Sequence, residues 1–150
     1  TYCVTDIEFH PTQNVLISVS NDLTIRIWSN TYNFLRSFSG HIYAIKDIEI
    51  LTSGRFATGS FAESEGGVKI WDVVSGFQKD ILIYEGILSM KALSNNPLAV
   101  GLYNTMIRIY DTQTDSLLRI LYGHTQPVTA LEVLNGNYLI SGSNDTSLIV

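Results

Sequence analysis

The sequence predicts an all-β fold made of a repeated unit, and four sets of regularly spaced anchors carry that prediction. A Val-x-x-Ile-like strand start recurs at Val4, Ile45, Ile87 and Val128, at intervals of 41, 42 and 41 residues. A strand of small residues recurs as Ile17 to Ser20, Ala57 to Ser60, Ala99 to Leu102 and Ile140 to Ser143, with first residues 40, 42 and 41 apart. An aromatic strand end stands at Trp28, Trp71 and Tyr110, 43 and 39 apart, and Gly40-His41 returns as Gly123-His124 after 83 residues, two periods. Self-similarity at a fixed period of this size marks a repeat architecture, in which each unit buries its apolar face only against its neighbours.

The combination of Gly-His, Ser141-Gly142-Ser143, Asn21-Asp22-Leu23-Thr24 and Trp71-Asp72 resembles the WD40 repeat of β-propellers. The resemblance runs over essentially the whole chain. It implies three complete four-stranded blades, at residues 2–39, 42–84 and 87–122, and three strands of a fourth at 127–150, all within a single propeller domain. A propeller typically has four to eight blades, so the expectation is a portion of a longer chain, with the remaining blades of the same propeller as its first partners.

Taken in order, Tyr2 to Phe9 reads as a strand. Its apolar residues Val4, Ile7 and Phe9 are spaced by three and then two, which departs from alternation and calls for a bulge. His10 to Asn14 is a turn, where Pro11 fixes φ and Asn14 tolerates unusual backbone angles. Strands follow at Val15 to Ser20, Leu23 to Trp28 and Phe34 to Ser39. The second unit takes Tyr43 to Ile50, Arg55 to Ser60, Val68 to Trp71 and a last strand around Lys79 to Tyr84. Its middle turn is lengthened: Ser60 to Trp71 spans 11 residues, against 8 from Ser20 to Trp28 and from Leu102 to Tyr110. The inserted Phe61 to Gly67, with two Glu and two Gly, is expected to project as a flexible acidic loop.

The third unit runs from Ile87 through Met90, then Pro97 to Leu102, Met106 to Tyr110 and Leu117 to Tyr122, and it is the degenerate copy. Glu85-Gly86 stands where Gly-His is expected, and Tyr110 replaces Trp. The fourth supplies Pro127 to Leu134, an Asn135-Gly136 turn suited to a tight hairpin, Tyr138 to Ser143 and Ser147 to Val150.

Composition supports a chain that buries a core: 45% hydrophobic and 15% charged residues exclude a disordered polymer. One cysteine, Cys3, permits no internal disulfide and suits an intracellular, reducing compartment such as cytoplasm or nucleus. No apolar run approaches the roughly 18 residues of a membrane span, so membrane insertion is not expected. A net charge of −5 with scattered Lys and Arg argues against a nucleic-acid surface.

The resemblance also implies buried hydrogen-bonded sets that join a Gly-His histidine to a turn Asp, a second-strand hydroxyl and a third-strand Trp. The matching residues are His124, Asp145 and Ser141 or Ser143 in the fourth unit. In the second they are His41, Thr58 or Ser60, and Trp71, with Glu65 at the Asp position. In the first they are Asp22, Ser18 or Ser20, and Trp28. A His, an Asp and a Ser together imitate a hydrolase triad, yet the trio recurs with the repeat, whereas a catalytic constellation occurs once. No phosphate loop, His-Glu-x-x-His or paired cysteines are present, so no catalytic residue, metal or cofactor is expected.

Function then falls to surface residues. Glu63 and Glu65 in the inserted loop, and Tyr43, Tyr103 and Gln126 near strand starts and turns, are the candidates for binding other proteins. The expected role is a non-catalytic interaction scaffold in a multiprotein assembly. The alternatives are the substrate-recognition module of a ubiquitin ligase, or a propeller joined to an enzymatic domain elsewhere. Propellers that dock on cullin adaptors carry Trp-Asp-x-Arg; Trp71-Asp72-Val73-Val74 and Tyr110-Asp111-Thr112-Gln113 both lack the Arg.

Overall fold

The computed structural model of the chain describes residues 2–62, 66–94, 96–136 and 138–150. Among the described residues, fifteen strands form four separate antiparallel sheets, each wound in simple sequence order. The first holds β1 (Val4–His10), β2 (Val15–Ser20), β3 (Thr24–Ser29) and β4 (Phe34–Ser39). The second holds β5 (Ile45–Ile50), β6 (Arg55–Ser60), β7 (Gly67–Asp72) and β8 (Gly76–Leu82). The third holds β9 (Ile87–Ala92), β10 (Pro97–Leu102), β11 (Ile107–Asp111) and β12 (Leu117–Leu121). The fourth holds β13 (Val128–Leu134), β14 (Tyr138–Ser143) and β15 (Leu148–Ile149). The fold is therefore three complete four-stranded blades and three strands of a fourth. No helix of the described residues is long and apolar enough to cross a membrane.

The bulge that the spacing of Val4, Ile7 and Phe9 requires is present: pairing with β2 slips between Val4 and Asp6. The same slip recurs in β5 between Ile45 and Asp47, in β9 opposite Gly101 and Leu102, and in β13 between Val128 and Ala130. Several strand ends shift by one or two residues, and one strand shifts further. The last strand of the second blade begins at Gly76, ahead of Lys79, because Asp72 Oδ1 accepts from the Val74 and Ser75 N–H groups at 2.9 and 2.7 Å and folds the chain straight back. At the fourth blade's hairpin, Asn135 and Gly136 both take the positive φ, 52° and 72°, that a tight turn demands.

The core lies between the faces of successive blades. Val15, Ile17, Val19, Ile25 and Ile27 of the first blade pack on Ile45, Ile48, Phe56 and Trp71 of the second. Val68, Ile70 and Ile81 pack in turn on Ile87, Leu98, Val100 and Leu102 of the third, and Ala99 and Ile107 on Val128 and Leu131 of the fourth. Each fully buried side chain of this kind contributes roughly 1.5–3 kcal/mol. The approach is close at Gly59, where a Cβ would stand 2.7 Å from Ile87 Cγ2 and 3.1 Å from Met90 Sδ.

The first strands of successive blades lie side by side without pairing as a sheet. Their exposed edges would leave backbone groups unsatisfied, and side chains of the preceding blade meet them. Thr5 Oγ1 donates to Ile45 O at 2.7 Å, and Asp6 Oδ2 accepts from Ile48 N at 3.1 Å. Asp47 Oδ2 accepts from Met90 N, Glu49 Oε2 from Ala92 N at 3.1 Å, and Ser89 Oγ donates to Val128 O at 3.3 Å. On the outer rim, Arg36 Nη1 donates to Val74 O at 2.7 Å, and Lys79 Nζ to Gln113 O at 2.9 Å. Arg36 and Lys79 hold the same register position, opposite Ile27 and Ile70.

Candidate functional site

Up-and-down winding puts two kinds of turn on one end of the blades: the connections between blades, and the turns between each blade's second and third strands. Backbone hydrogen bonds tie them together, Phe61 N to Ala44 O at 2.9 Å, Tyr103 N to Gly86 O at 2.8 Å and Asn144 N to Pro127 O at 3.1 Å. Tyr43, Tyr103 and Gln126 therefore share this end. Glu63 and Glu65, and with them the acidic tip of the inserted loop, lie outside the described residues.

At this end the structure adds Ile42 and Tyr84, which the sequence reading did not single out. The Phe61 and Tyr103 rings meet edge to face at 5.6 Å, and the Phe61 ring lies against Gly86. Ile42, Tyr84 and Tyr103 are 74%, 63% and 44% exposed, so apolar and aromatic side chains face solvent at this end. Tyr84 takes φ 57°, an uncommon conformation for a ring-bearing residue, and its N–H is held by Gly66 O at 3.1 Å. Neither the conformation nor the exposure is signalled by residue type alone.

Beneath this end sit the polar sets. His124 Nδ1 stands 2.8 Å from Asp145 Oδ2 and Nε2 stands 2.9 Å from Ser141 Oγ. A carboxylate only accepts, so Nδ1 donates. Hydrogen bonds from the Ser147 hydroxyl, the Thr125 N–H and His124 hold the Asp145 carboxyl well below the usual carboxylate range. In the second blade Trp71 Nε1 donates to Thr58 Oγ1 at 2.7 Å, and Thr58 Oγ1 lies 2.7 Å from His41 Nε2. Burial, and then the Lys69 charge, lower the His41 ring to about 4, so it is neutral. In the first blade Trp28 Nε1 donates to Ser18 Oγ at 2.9 Å, while Asp22 pairs with Arg26 at 3.0 Å.

Of the paired hydroxyls, the structure uses Ser18, Thr58 and Ser141 in these sets. Ser20, Ser60 and Ser143 do something else: they bind backbone at the adjoining turn. Ser20 Oγ accepts from Asp22 N at 3.1 Å, Ser60 Oγ from Gly67 N at 3.3 Å and Ser143 Oγ from Asp145 N at 3.1 Å. In the third blade Val100 and Leu102 replace both hydroxyls and are fully buried, so the polar set gives way to an apolar one.

The Asp145–His124–Ser141 connection has the atom order of a hydrolase triad. Ser141 is buried, however, and its hydroxyl also lies 3.4 Å from Ile149 O. A cavity of about 230 Å³ adjoins His124 and Ser141, and in the second blade the Trp71 indole, bonded to Thr58, stands in the corresponding relation to its own His. Among the described residues no group of three or more His, Cys, Asp or Glu is placed to hold a metal ion.

Comparison with known proteins matches these features. The family model "WD domain, G-beta repeat" matches residues 1–29, 32–72 and 115–150. The chain is 25% identical over 158 residues to nuclear distribution protein PAC1 of Arthroderma benhamiae, covering 96% of this chain and 34% of that protein. It is 31% identical over 157 residues to an F-box protein of Saccharomyces cerevisiae, covering 96% and 23%. It is 29% identical over 116 residues to COMPASS component SWD3 of the same yeast, covering 74% and 36%. The chain thus spans about a third or less of the curated relatives it matches over nearly its full extent. Among solved structures, the crystal structure of the computationally designed Ika4 protein superimposes with a TM-score of 0.82 at 25% identity, over 99% of this chain and 90% of that one. With its repeat period, its blades and most of its length matched, the chain belongs to the WD40 repeat family.

Proposed function

We propose that this chain is a non-catalytic protein-interaction scaffold, part of a multiprotein assembly, and that it binds through the end carrying Tyr43, Tyr103 and Gln126. The observation that supports this most is the exposure of the apolar and aromatic side chains of Ile42, Tyr84 and Tyr103 at that end. Exposed apolar and aromatic residues gathered at one end of the blades fit a protein contact site. The buried sets of His124, Asp145 and Ser141 and of His41, Thr58 and Trp71 are read as fold-stabilising, since they recur with the repeat. The family's relatives with assembly names, a COMPASS component among them, support the same reading. We take residues 2–39, 42–84, 87–122 and 127–150 as successive blades of one propeller domain, completed by further blades. The lone Cys3 supports an intracellular setting.

A second reading, the substrate-recognition module of a ubiquitin ligase, is favoured by the likeness to a yeast F-box protein. Val74 and Gln113 stand where cullin-docking propellers carry Arg, and both offer backbone oxygens to Arg36 and Lys79. The two readings share a test. Affinity purification of the full-length protein is compared with an Ile42→Ser, Tyr84→Ala, Tyr103→Ala variant. A discrete set of co-purifying proteins lost in the variant, with melting unchanged, is the expected result, and ligase subunits in that set would select the second reading. Retention of the same set by the variant would remove this surface from consideration.

A further inference from the structure

The inner wall carries a titratable cluster that interaction through the loop end does not use. Bulges in the first strands aim Asp6 of β1 and Asp47 of β5 toward the next blade's edge. The Ile48 N–H is flanked by Asp6 Oδ2 at 3.1 Å and Asp47 Oδ1 at 2.9 Å, which brings the two carboxyl groups to one donor. The other oxygen of Asp47 receives the Met90 N–H. One side chain thus links three blades.

We propose that the Asp47 carboxyl is a proton-sensitive latch: protonated, it hydrogen-bonds Asp6 and holds the first three blades together, and ionised, it sets a negative charge against the Asp6 carboxyl and loosens both seams.

The surroundings favour the proton. Asp6 and Glu8 from β1, Glu49 from β5 and Glu132 from β13 line the same cavity of about 310 Å³, and Lys46 and Lys91 are the cations there. Lys46 Nζ donates to Asn21 Oδ1 at 3.3 Å, and Lys91 Nζ lies between Glu49 at 3.4 Å and Glu132 at 3.3 Å, so both lysines direct their charge elsewhere. The strand β2 has no titratable side chain, and Arg55, at the start of β6, donates to Thr52 O. Burial first, and then the hydrogen bond with Asp6, push the Asp47 carboxyl up to about 8. A carboxyl raised on folding contributes stability that is present at low pH and is lost as pH rises through its folded value. The seams should therefore be tight in mild acid and should loosen progressively up to about pH 8.

Amide exchange at Ile48 and Met90, corrected for the intrinsic pH dependence, tests this in the intact protein. Between pH 6 and 8 the opening constant at both amides should rise by up to about tenfold per pH unit and then level off. Asp47→Asn, whose side-chain oxygen still accepts from Met90 N–H, should abolish that rise. A rise that persists in the variant, or pH-independent opening in the parent, would overturn the latch. If the variant does not fold, the carboxyl ¹³C shift of Asp47 in the parent decides: a midpoint near 8 supports the proposal, and an ordinary carboxylate midpoint rejects it.

Discussion

Thr58 has one hydroxyl proton and two lone pairs, and the second blade uses both functions. The Trp71 indole can only donate, so Thr58 accepts from it and keeps its own proton for His41. In the fourth blade Ser141 has the same place beside His124, whose other nitrogen is held by Asp145. Removing one partner leaves buried polar atoms unsatisfied, so His124→Ala should lower stability by roughly 1–3 kcal/mol, read as a lower denaturant midpoint with partner binding per folded molecule unchanged. The His41 ring makes a pH prediction with a definite sign. Its pKa is lowered on folding to about 4, whereas the unfolded ring titrates near 6.5, so its contribution is complete above pH 6.5 and declines as pH falls toward 4. The slope is at most about 1.4 kcal/mol per pH unit. Between pH 7 and 4 the melting temperature should fall more steeply with falling pH in the parent than in His41→Gln, and equal slopes would contradict a buried neutral ring. The types and spacing of His41, Trp71, His124 and Asp145 could be read from the sequence. Which of two serines joined each set could not, because Ser141 and Ser143 both point to the same face of the strand and only the neighbouring turn separates their roles.

At the level of strands and turns, the first strand's odd spacing of Val4, Ile7 and Phe9 is legible as a bulge because a period of two cannot otherwise keep them on one face. The start of β8 is not, since it depends on how tightly the Asp72 side chain folds the preceding turn. Packing between blades sets the demand at Gly59, whose neighbours Ile87 and Met90 are both buried. Gly59→Ala inserts a methyl into filled space and should destabilise by roughly 1–3 kcal/mol. Val19 holds the equivalent place in the first blade without difficulty, facing a different neighbour. Calorimetry of the Gly59 variant checks this, and an unchanged or raised melting temperature would mean that the blades separate to accommodate the methyl.

For the whole molecule, each blade covers the next, which leaves apolar faces at the two ends of the array. Val4, Ile7 and Phe9 on β1 and Leu148 on β15 are all at least 47% exposed. Expressed as these 150 residues, the protein should self-associate through those faces, giving a light-scattering mass that climbs with concentration; a constant monomer mass would show that the ends are adequately shielded. Repeat period and blade order were legible because every copy had to satisfy the same packing. The apolar surface near Ile42 and Tyr84 was not, because a surface residue answers to no such repeated constraint. The outer rim shows how the two kinds of constraint coexist. Arg36 and Lys79 reach main-chain oxygens at Val74 and Gln113, and those oxygens are present whatever side chain the residue bears. The clasp between neighbours is thus indifferent to the identity of the turn it grips, and such a turn can drift in sequence, or acquire a new recognition role, without unfastening the blade beside it.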